Sequence, residues 1–235
     1  MLFKHPLFLW DFFDMKHYAI IVAGGSGKRM QSNVCKQFLI LNHLPILMHT
    51  INAFYHTIYK PEIILVLGVD SQGYWADLCK EYNFEVPHQI ISGGEQRFHS
   101  VRNGLLAIKD EGIVAIHDAV RPLVSKQLIE RMYEQAAENG NAVPYVKTSD
   151  SLRQIYNNTS KIVNREQYVM IQTPQTFITD QLRKAYQQNY KQMFTDDASV
   201  VENAGFRINL VEGERNNLKI TYPEDLRIAS FLLEN

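Results

Sequence analysis

The feature that most limits what this chain can fold into is a series of short, continuous apolar runs separated by stretches with helical spacing. Tyr18–Val22, Ile63-Ile64-Leu65-Val66-Leu67 and Ile113-Val114-Ala115-Ile116 show no polar alternation. A strand with one face in water alternates, whereas a strand covered on both faces reads as an unbroken apolar run. Between these runs, Ile46, Leu47, Thr50, Ile51, Phe54 and Ile58 recur at helical spacing and stop before Pro61. Tyr74–Tyr82 and Ser100–Ile108 read as further helices, and His88–Ser92 as another strand. Ser125 is placed to cap a helix running to Asn139, with Gly140 as its stop. Strand followed by helix, repeated, specifies an α/β fold: a Rossmann-like, mostly parallel sheet with helices on both faces.

The rhythm changes after Ala142. Short β-type pieces fall at Ala142–Val146, Ser151–Ile155, Ile162–Val163 and Val169–Thr173, with Asn157-Asn158 as a turn and no long helix between them. We expect a β arm protruding from the sheet over about 142–172. A helix near Thr179–Gln192, a short helix after Thr195-Asp196-Asp197 and a strand at Arg207–Val211 follow. Thr221-Tyr222-Pro223-Glu224 has the pattern of a capping box, with proline in the first turn of a last helix that runs to about Leu233. There is no repeat and no linker, so residues 16–235 read as one domain. Residues 1–15 read as an extension, with Met15 a candidate start just ahead of the first strand.

Ligands of such folds sit beyond the carboxyl ends of the strands, and the first strand opens into a chemically loaded loop. Ala23-Gly24-Gly25-Ser26-Gly27-Lys28-Arg29-Met30 places three glycines beside two cations, and Lys36 follows. Backbone N–H groups at such a loop form a nest for anions. No Asp or Glu occurs between Met15 and Pro61, where Lys16, Lys28, Arg29, Lys36 and Lys60 fall, so the field there is cationic. The loop is not a P-loop, which needs glycine five residues before Gly27, where Val22 stands. It is not a dinucleotide fingerprint either: Met30 occupies the place of the third glycine, and no acid lies roughly 20 residues on. A polyphosphate cradle is left, with a ligand-free tight turn as the alternative.

Composition excludes other classes. The formal net charge of −1 gives no general attraction for nucleic acid or membrane. No apolar run approaches a membrane span, and Cys35 and Cys79 have no metal-type spacing and suit a reducing, cytoplasmic setting.

Five further motifs narrow the loop's meaning. They are Gly93-Gly94-Glu95-Gln96-Arg97 with Ser100; His117-Asp118-Ala119-Val120-Arg121-Pro122; Thr173-Pro174-Gln175; Thr195-Asp196-Asp197-Ala198-Ser199; and Val211-Glu212-Gly213 with Asn217-Leu218-Lys219-Ile220-Thr221. Together with the first loop, in this order from Tyr18 to the C-terminus, they resemble the 2-C-methyl-D-erythritol 4-phosphate cytidylyltransferase family. The resemblance implies attack of the sugar phosphate on the α-phosphorus of CTP, with pyrophosphate leaving and no covalent enzyme intermediate. It implies Arg29, Lys36 and Lys219 as the cations of the reaction. Ala23, Gly24, Gly25, Gly27, Gly94, Arg97, Ser100, Asp118 and Ala119 correspond to the CTP side. Arg121, Ser151, Arg165, Thr173, Thr195 and Asp196 correspond to the sugar-phosphate side.

The same resemblance implies Mg²⁺ or another divalent cation, with Asp118 as a candidate ligand and CTP phosphates as the rest. It further implies a homodimer in which the arm reaches the neighbouring site. The chain departs from the family pattern at Cys35, Asp150-Ser151, Asn164 and Asn216. The near alternative is a ribitol-5-phosphate cytidylyltransferase of the same fold. An NAD-dependent dehydrogenase lacks its third glycine and its acid here. A non-catalytic nucleotide-binding module gives no reason for both Lys36 and Lys219.

Overall fold

The computed structural model describes residues 15–24 and 34–234. The expected parallel core is β1 (Lys16–Val22), β4 (Glu62–Leu67), β5 (Gln89–Ser92) and β6 (Gly112–Asp118), in the spatial order β5-β4-β1-β6. Ile21 lies opposite Leu65 on one side and His117 on the other. Beyond β6 the sheet turns antiparallel: β11 (Gln175–Ile178) joins β6, and β7 (Asn141–Lys147) joins β11. β10 (Val169–Ile171) and β12 (Leu210–Glu212) both pair with β7, completing a sheet of eight strands among the described residues, while β2 (Ile40–Leu41) and β3 (Leu44–Pro45) form a separate two-stranded ladder.

The apolar runs are explained by the two faces of this sheet. Successive side chains of a strand point to opposite faces. Ala19 and Ile21, with Leu65 and Ala115, pack under α1 (Ile46–Tyr55), α2 (Val69–Glu81) and α4 (Lys126–Asn139) through Leu47, Phe54, Trp75 and Tyr133. Tyr18 and Ile20, with Val66 and Ile116, pack under α3 (Arg97–Ala107), α5 (Thr179–Ala185) and α6 (Asp197–Asn203) through Phe98, Leu105, Leu182 and Val201. Each strand residue is thus needed by one layer or the other. Tyr133 also donates its hydroxyl to the Tyr18 carbonyl at 2.8 Å, tying α4 to β1.

Some boundaries differ from the sequence reading. α2 begins at Val69, five residues before Tyr74, and runs through Gly73. α3 begins at Arg97, not Ser100. α5 ends at Ala185 and does not reach Gln192. There the Gln188 side chain donates to the carbonyls of Ala185 and Val200, so a tertiary contact closes the helix. The last helix, α7 (Pro223–Glu234), is not capped as expected. Asp225 Oδ2 accepts from the N–H groups of Thr221 and Tyr222 at 2.8 Å each, while Thr221 Oγ1 turns back to the Lys219 carbonyl. Ser125 and Gly140 do act as read: Ser125 Oγ accepts from Leu128 N–H, and Gly140 takes φ +87°.

The segment after β7 forms a separate two-stranded hairpin, β8 (Arg153–Tyr156) and β9 (Thr159–Ile162). Asn157 and Asn158 both take positive φ at its turn, which suits a two-residue hairpin loop. Every residue of both strands is exposed, including Ile155, Tyr156 and Ile162.

Candidate active site

Three loops leave the carboxyl ends of the parallel strands at one rim. Ala23 N–H donates to Val66 O at 2.9 Å, Ala119 N–H to Val22 O at 3.1 Å, and Gly93 N–H to Leu67 O at 2.7 Å. They enclose a cleft of about 450 Å³. Ala23, Gly24, Lys36, Gly94, Arg97, Ser100, Asp118, Ala119 and Lys219 all line it. Gly25, Gly27 and Arg29 lie outside the described residues. A larger, more open depression of about 700 Å³ lies between Pro122–Gln127, residues 214–216 and Leu232–Leu233, and none of the charges clustered at the cleft lines it.

Each wall of the cleft is fixed locally. Buried Gln37 donates from Nε2 to the Ala23 carbonyl at 2.8 Å, pinning the start of the first loop. Ser100 Oγ accepts from Gly94 N–H at 3.1 Å and donates to the Gln96 carbonyl at 3.2 Å, so one hydroxyl shapes the second loop. A side chain at Gly94 would collide with His99, which explains the glycine.

Asp118, the last residue of β6, is the electrostatic centre. Lys219 Nζ stands 2.8 Å from its Oδ2, Arg121 Nε 3.6 Å from Oδ2, and Arg97 Nε 3.5 Å from Oδ1. Burial alone would raise its pKa, but Arg97, then Lys219, then Arg121 hold it well below the ordinary carboxylate range. Burial likewise opposes the Arg97 charge, and Asp197 followed by Asp118 more than offset it. Asp118 and Asp197 together face three cations, so the cluster carries excess positive charge. That is an environment built for a polyanion.

Lys219 comes from the far end of the chain and is delivered by a buried segment. Asn217 is fully buried; its Nδ2 donates to the Thr173 carbonyl at 2.8 Å, and its own carbonyl accepts from Arg121 Nη1 at 2.8 Å. Ile220 is fully buried and donates to the Val120 carbonyl at 2.9 Å. Lys219 lies between these two anchors.

His117 organises the floor. Thr173 Oγ1 accepts from Asp118 N–H at 3.1 Å and lies 3.1 Å from His117 Nδ1, while His117 Nε2 lies 3.1 Å from the Arg121 carbonyl. A carbonyl only accepts, so Nε2 carries the proton and Thr173 donates to Nδ1. Burial pushes the His117 pKa down to about 4, against 6.5 for a free imidazole. In that window the unfolded chain binds a proton that the folded chain refuses, so stability is full above pH 6.5 and falls as pH drops towards 4. The loss attributable to His117 is about 3 kcal/mol. Urea midpoints at pH 7.5, 5.5 and 4.5 should fall steadily in the wild type. In His117→Asn about half of that slope should vanish, leaving the share of His17, which burial also lowers to about 4. An equal slope in both would contradict the assignment.

The residues matched to the sugar phosphate divide into three places. Arg121 and Thr173 belong to the Asp118 network. Thr195 and Asp196 lie at the start of α6, where Asp196 Oδ1 accepts from Ser199 N–H and Oδ2 accepts from Gln175 Nε2. Ser151 and Arg165 are exposed on either side of the hairpin, with Arg165 Nη1 donating to the Ser149 carbonyl. None of these six residues lines the cleft itself; Arg121 and Thr173 reach it only through their contacts with Asp118. The supporting residues Gln37, His117, Gln175, Asp197 and Asn217 were not singled out by the sequence reading, although each lies within or beside a motif that was.

Among the described residues no group of three or more His, Cys, Asp or Glu side chains could hold a metal by itself. Asp118 offers one carboxylate facing the cleft. That donor set suits a hard cation carried mainly by phosphate oxygens.

A family-wide sequence model, that of 2-C-methyl-D-erythritol 4-phosphate cytidylyltransferase, matches residues 17–235. A protein of that name from Phocaeicola vulgatus is 48% identical over 219 residues, covering 93% of this chain and all of the relative. One from Clostridium novyi is 38% identical over 225 residues, covering 94% of this chain and 97% of the relative. The crystal structure of 2-C-methyl-D-erythritol 4-phosphate cytidylyltransferase from Thermus thermophilus superposes with a TM-score of 0.77 at 29% identity, covering 94% of this chain and all of that one. The 4-diphosphocytidyl-2C-methyl-D-erythritol synthase of Anaerococcus prevotii gives 0.81 at 26% identity, covering 96% and 99%.

Proposed function

We infer that this chain, which belongs to the 2-C-methyl-D-erythritol 4-phosphate cytidylyltransferase family, transfers the CMP moiety of CTP to 2-C-methyl-D-erythritol 4-phosphate. The products are 4-diphosphocytidyl-2-C-methyl-D-erythritol and pyrophosphate, in isoprenoid precursor biosynthesis. The observation that carries the assignment of this chemistry to the cleft is Asp118, held ionised at a strand end by Arg97, Lys219 and Arg121.

A phosphate oxygen of the sugar phosphate attacks the α-phosphorus, and the bond from that phosphorus to the bridging oxygen of pyrophosphate breaks. The nucleophile is already an anion, so no general base is required. What the protein must supply is alignment of two polyanions and stabilisation of the charge on the five-coordinate phosphorus. Lys219 and Lys36, which both line the cleft, are the cations we assign to the phosphates; Arg29, outside the described residues, is assigned the same role on the family resemblance alone. The cytidine is assigned to the wall formed by Gly94, Arg97, Ser100, Asp118 and Ala119, where one hydroxyl and backbone amides already hold the loop. Arg121 and Thr173, which contact Asp118, are the residues we assign to the sugar phosphate.

Mg²⁺ or another divalent cation would be held by CTP phosphate oxygens with Asp118. When bound it neutralises phosphate charge as a Lewis acid.

We extend the proposal to assembly and place. The hairpin exposes Ile155, Tyr156 and Ile162, and the matched residues Ser151 and Arg165 flank it away from the cleft of their own chain. A homodimer in which each arm completes the neighbouring site accounts for both facts. Light scattering should then give twice the 27.2 kDa chain mass, and a monomeric mass would remove the shared site. The two free cysteines, and the lack of any membrane-length apolar helix among the described residues, support a cytoplasmic enzyme.

Pyrophosphate release from CTP, with 2-C-methyl-D-erythritol 4-phosphate and ribitol 5-phosphate offered separately, tests the reaction. Release is expected with the first and not the second. The converse result would transfer the assignment to the ribitol enzyme.

A further inference from the structure

The Asp118 cluster has an outer member, Asp197, which the motif alone presents as the second acid of a helix start. Its side chain is fully buried. Oδ2 lies 2.7 Å from Arg97 Nη2, and Oδ1 accepts the Tyr186 hydroxyl at 2.6 Å. Burial, and after it the Asp197 charge, keep that phenol protonated, so it is a fixed donor. The Tyr186 ring stacks on Phe98, the neighbour of Arg97, with centroids 4.8 Å apart. The Arg97 guanidinium is therefore suspended between two carboxylates: Asp118 at the end of β6 and Asp197 at the start of α6.

Asp197 is not needed to start α6. Asp196 and Ser199 form a reciprocal capping box there. Gln175 adds a second clamp, donating to Asp196 and accepting from Ala198 N–H at 2.8 Å. The packing of α6 onto α3 is apolar, through Phe98, Ala198 and Val201. What remains for a buried carboxylate is the direction of Arg97. Arginine recognises ligands through a rigid fork whose benefit depends on being held in place beforehand.

We propose that Asp197 is a positioning residue for Arg97: held by Tyr186, it sets the angle at which the guanidinium enters the cleft and thereby the affinity for CTP. This rests on the reading of the cleft as the CTP site.

The test is calorimetric titration with CTP, together with KM for each substrate, in the wild type, Asp197→Asn, Tyr186→Phe, Arg97→Ala and the double variants. Asp197→Asn should weaken CTP binding about tenfold, and Tyr186→Phe about threefold. KM for the sugar phosphate should stay within about twofold in both variants. In the Arg97→Ala background either change should add under about twofold, because the group it acts through is gone. Full additivity in that background, or a shift confined to the sugar-phosphate KM, overturns the proposal and leaves Asp197 a helix-start residue. If Asp197→Asn does not fold, the Tyr186→Phe and Arg97→Ala pair completes the same cycle. CTP binding by the wild type together with additivity in the double variants removes Asp197 alone. Wild type that binds no CTP removes the cleft reading, and the proposal with it.

Discussion

Lys219→Ala is expected to fold like the wild type and to lose about 10²–10³-fold in turnover. The fold does not depend on the ammonium: the side chain is 41% exposed, and its segment is anchored by Asn217 and Ile220. Among the described residues its ion-pair partner is Asp118, at 2.8 Å. Without nucleotide that pair keeps a cation at the cleft wall. With nucleotide, the phosphates present several negative oxygens to the same ammonium, and charge grows on them as the phosphorus becomes five-coordinate. An interaction that strengthens in the transition state lowers kcat when removed. KM for CTP should change far less than kcat. Circular dichroism melting and steady-state pyrophosphate release check both halves. A near wild-type rate would exclude Lys219 from the reaction.

Asp118→Asn should reduce both stability and activity. The substitution keeps the shape and the backbone bond from residue 118 to Thr173, but removes the carboxylate that, among the described residues, faces Arg97, Arg121 and Lys219 together. Lys219 can turn to solvent. Arg97 keeps Asp197, and Arg121 keeps the Asn217 carbonyl, yet Arg121 Nε is buried without a hydrogen bond and loses its neighbouring charge. Breaking a buried charge set costs about 3 kcal/mol, read as a lower urea midpoint at unchanged slope. Turnover should fall at least about 100-fold, because the cations that orient the nucleotide lose their common reference. Wild-type stability in Asp118→Asn would show that the three cations need no counter-charge.

The sheet was legible because burial on both faces leaves a mark in the sequence. Tyr18–Val22 had to be apolar at every position, since odd and even residues serve different layers. The rim was legible too, because loops following parallel strands share one end. Gly73 hid the first turn of α2, and α5 was read too long because the bond from Gln188 to Val200 is tertiary. The last helix start offered two acids, and Asp225 rather than Glu224 took the cap.

The candidate site was legible by a different route. Nothing local pairs Lys219 with Asp118, 101 positions away; their juxtaposition in one cleft follows from the path of the chain between Asn217 and Ile220. Family resemblance pointed to both residues without saying how they would be held. The supporting polar residues were illegible because their work is done by partners remote in sequence. His117 acts through Thr173, Asn217 through Arg121 and Thr173, and Asp197 through Arg97.

The central claim is that the Asp118 cluster is a nucleotide site in which Lys219 exchanges a carboxylate for a phosphate. A crystal structure with CTP and Mg²⁺ tests it most directly. The expected result is cytidine against Gly94–Ser100, with Lys219 Nζ moved from Asp118 Oδ2 onto a phosphate oxygen. CTP seated elsewhere, or bound in this cleft with the 2.8 Å Lys219–Asp118 pair intact, would contradict it.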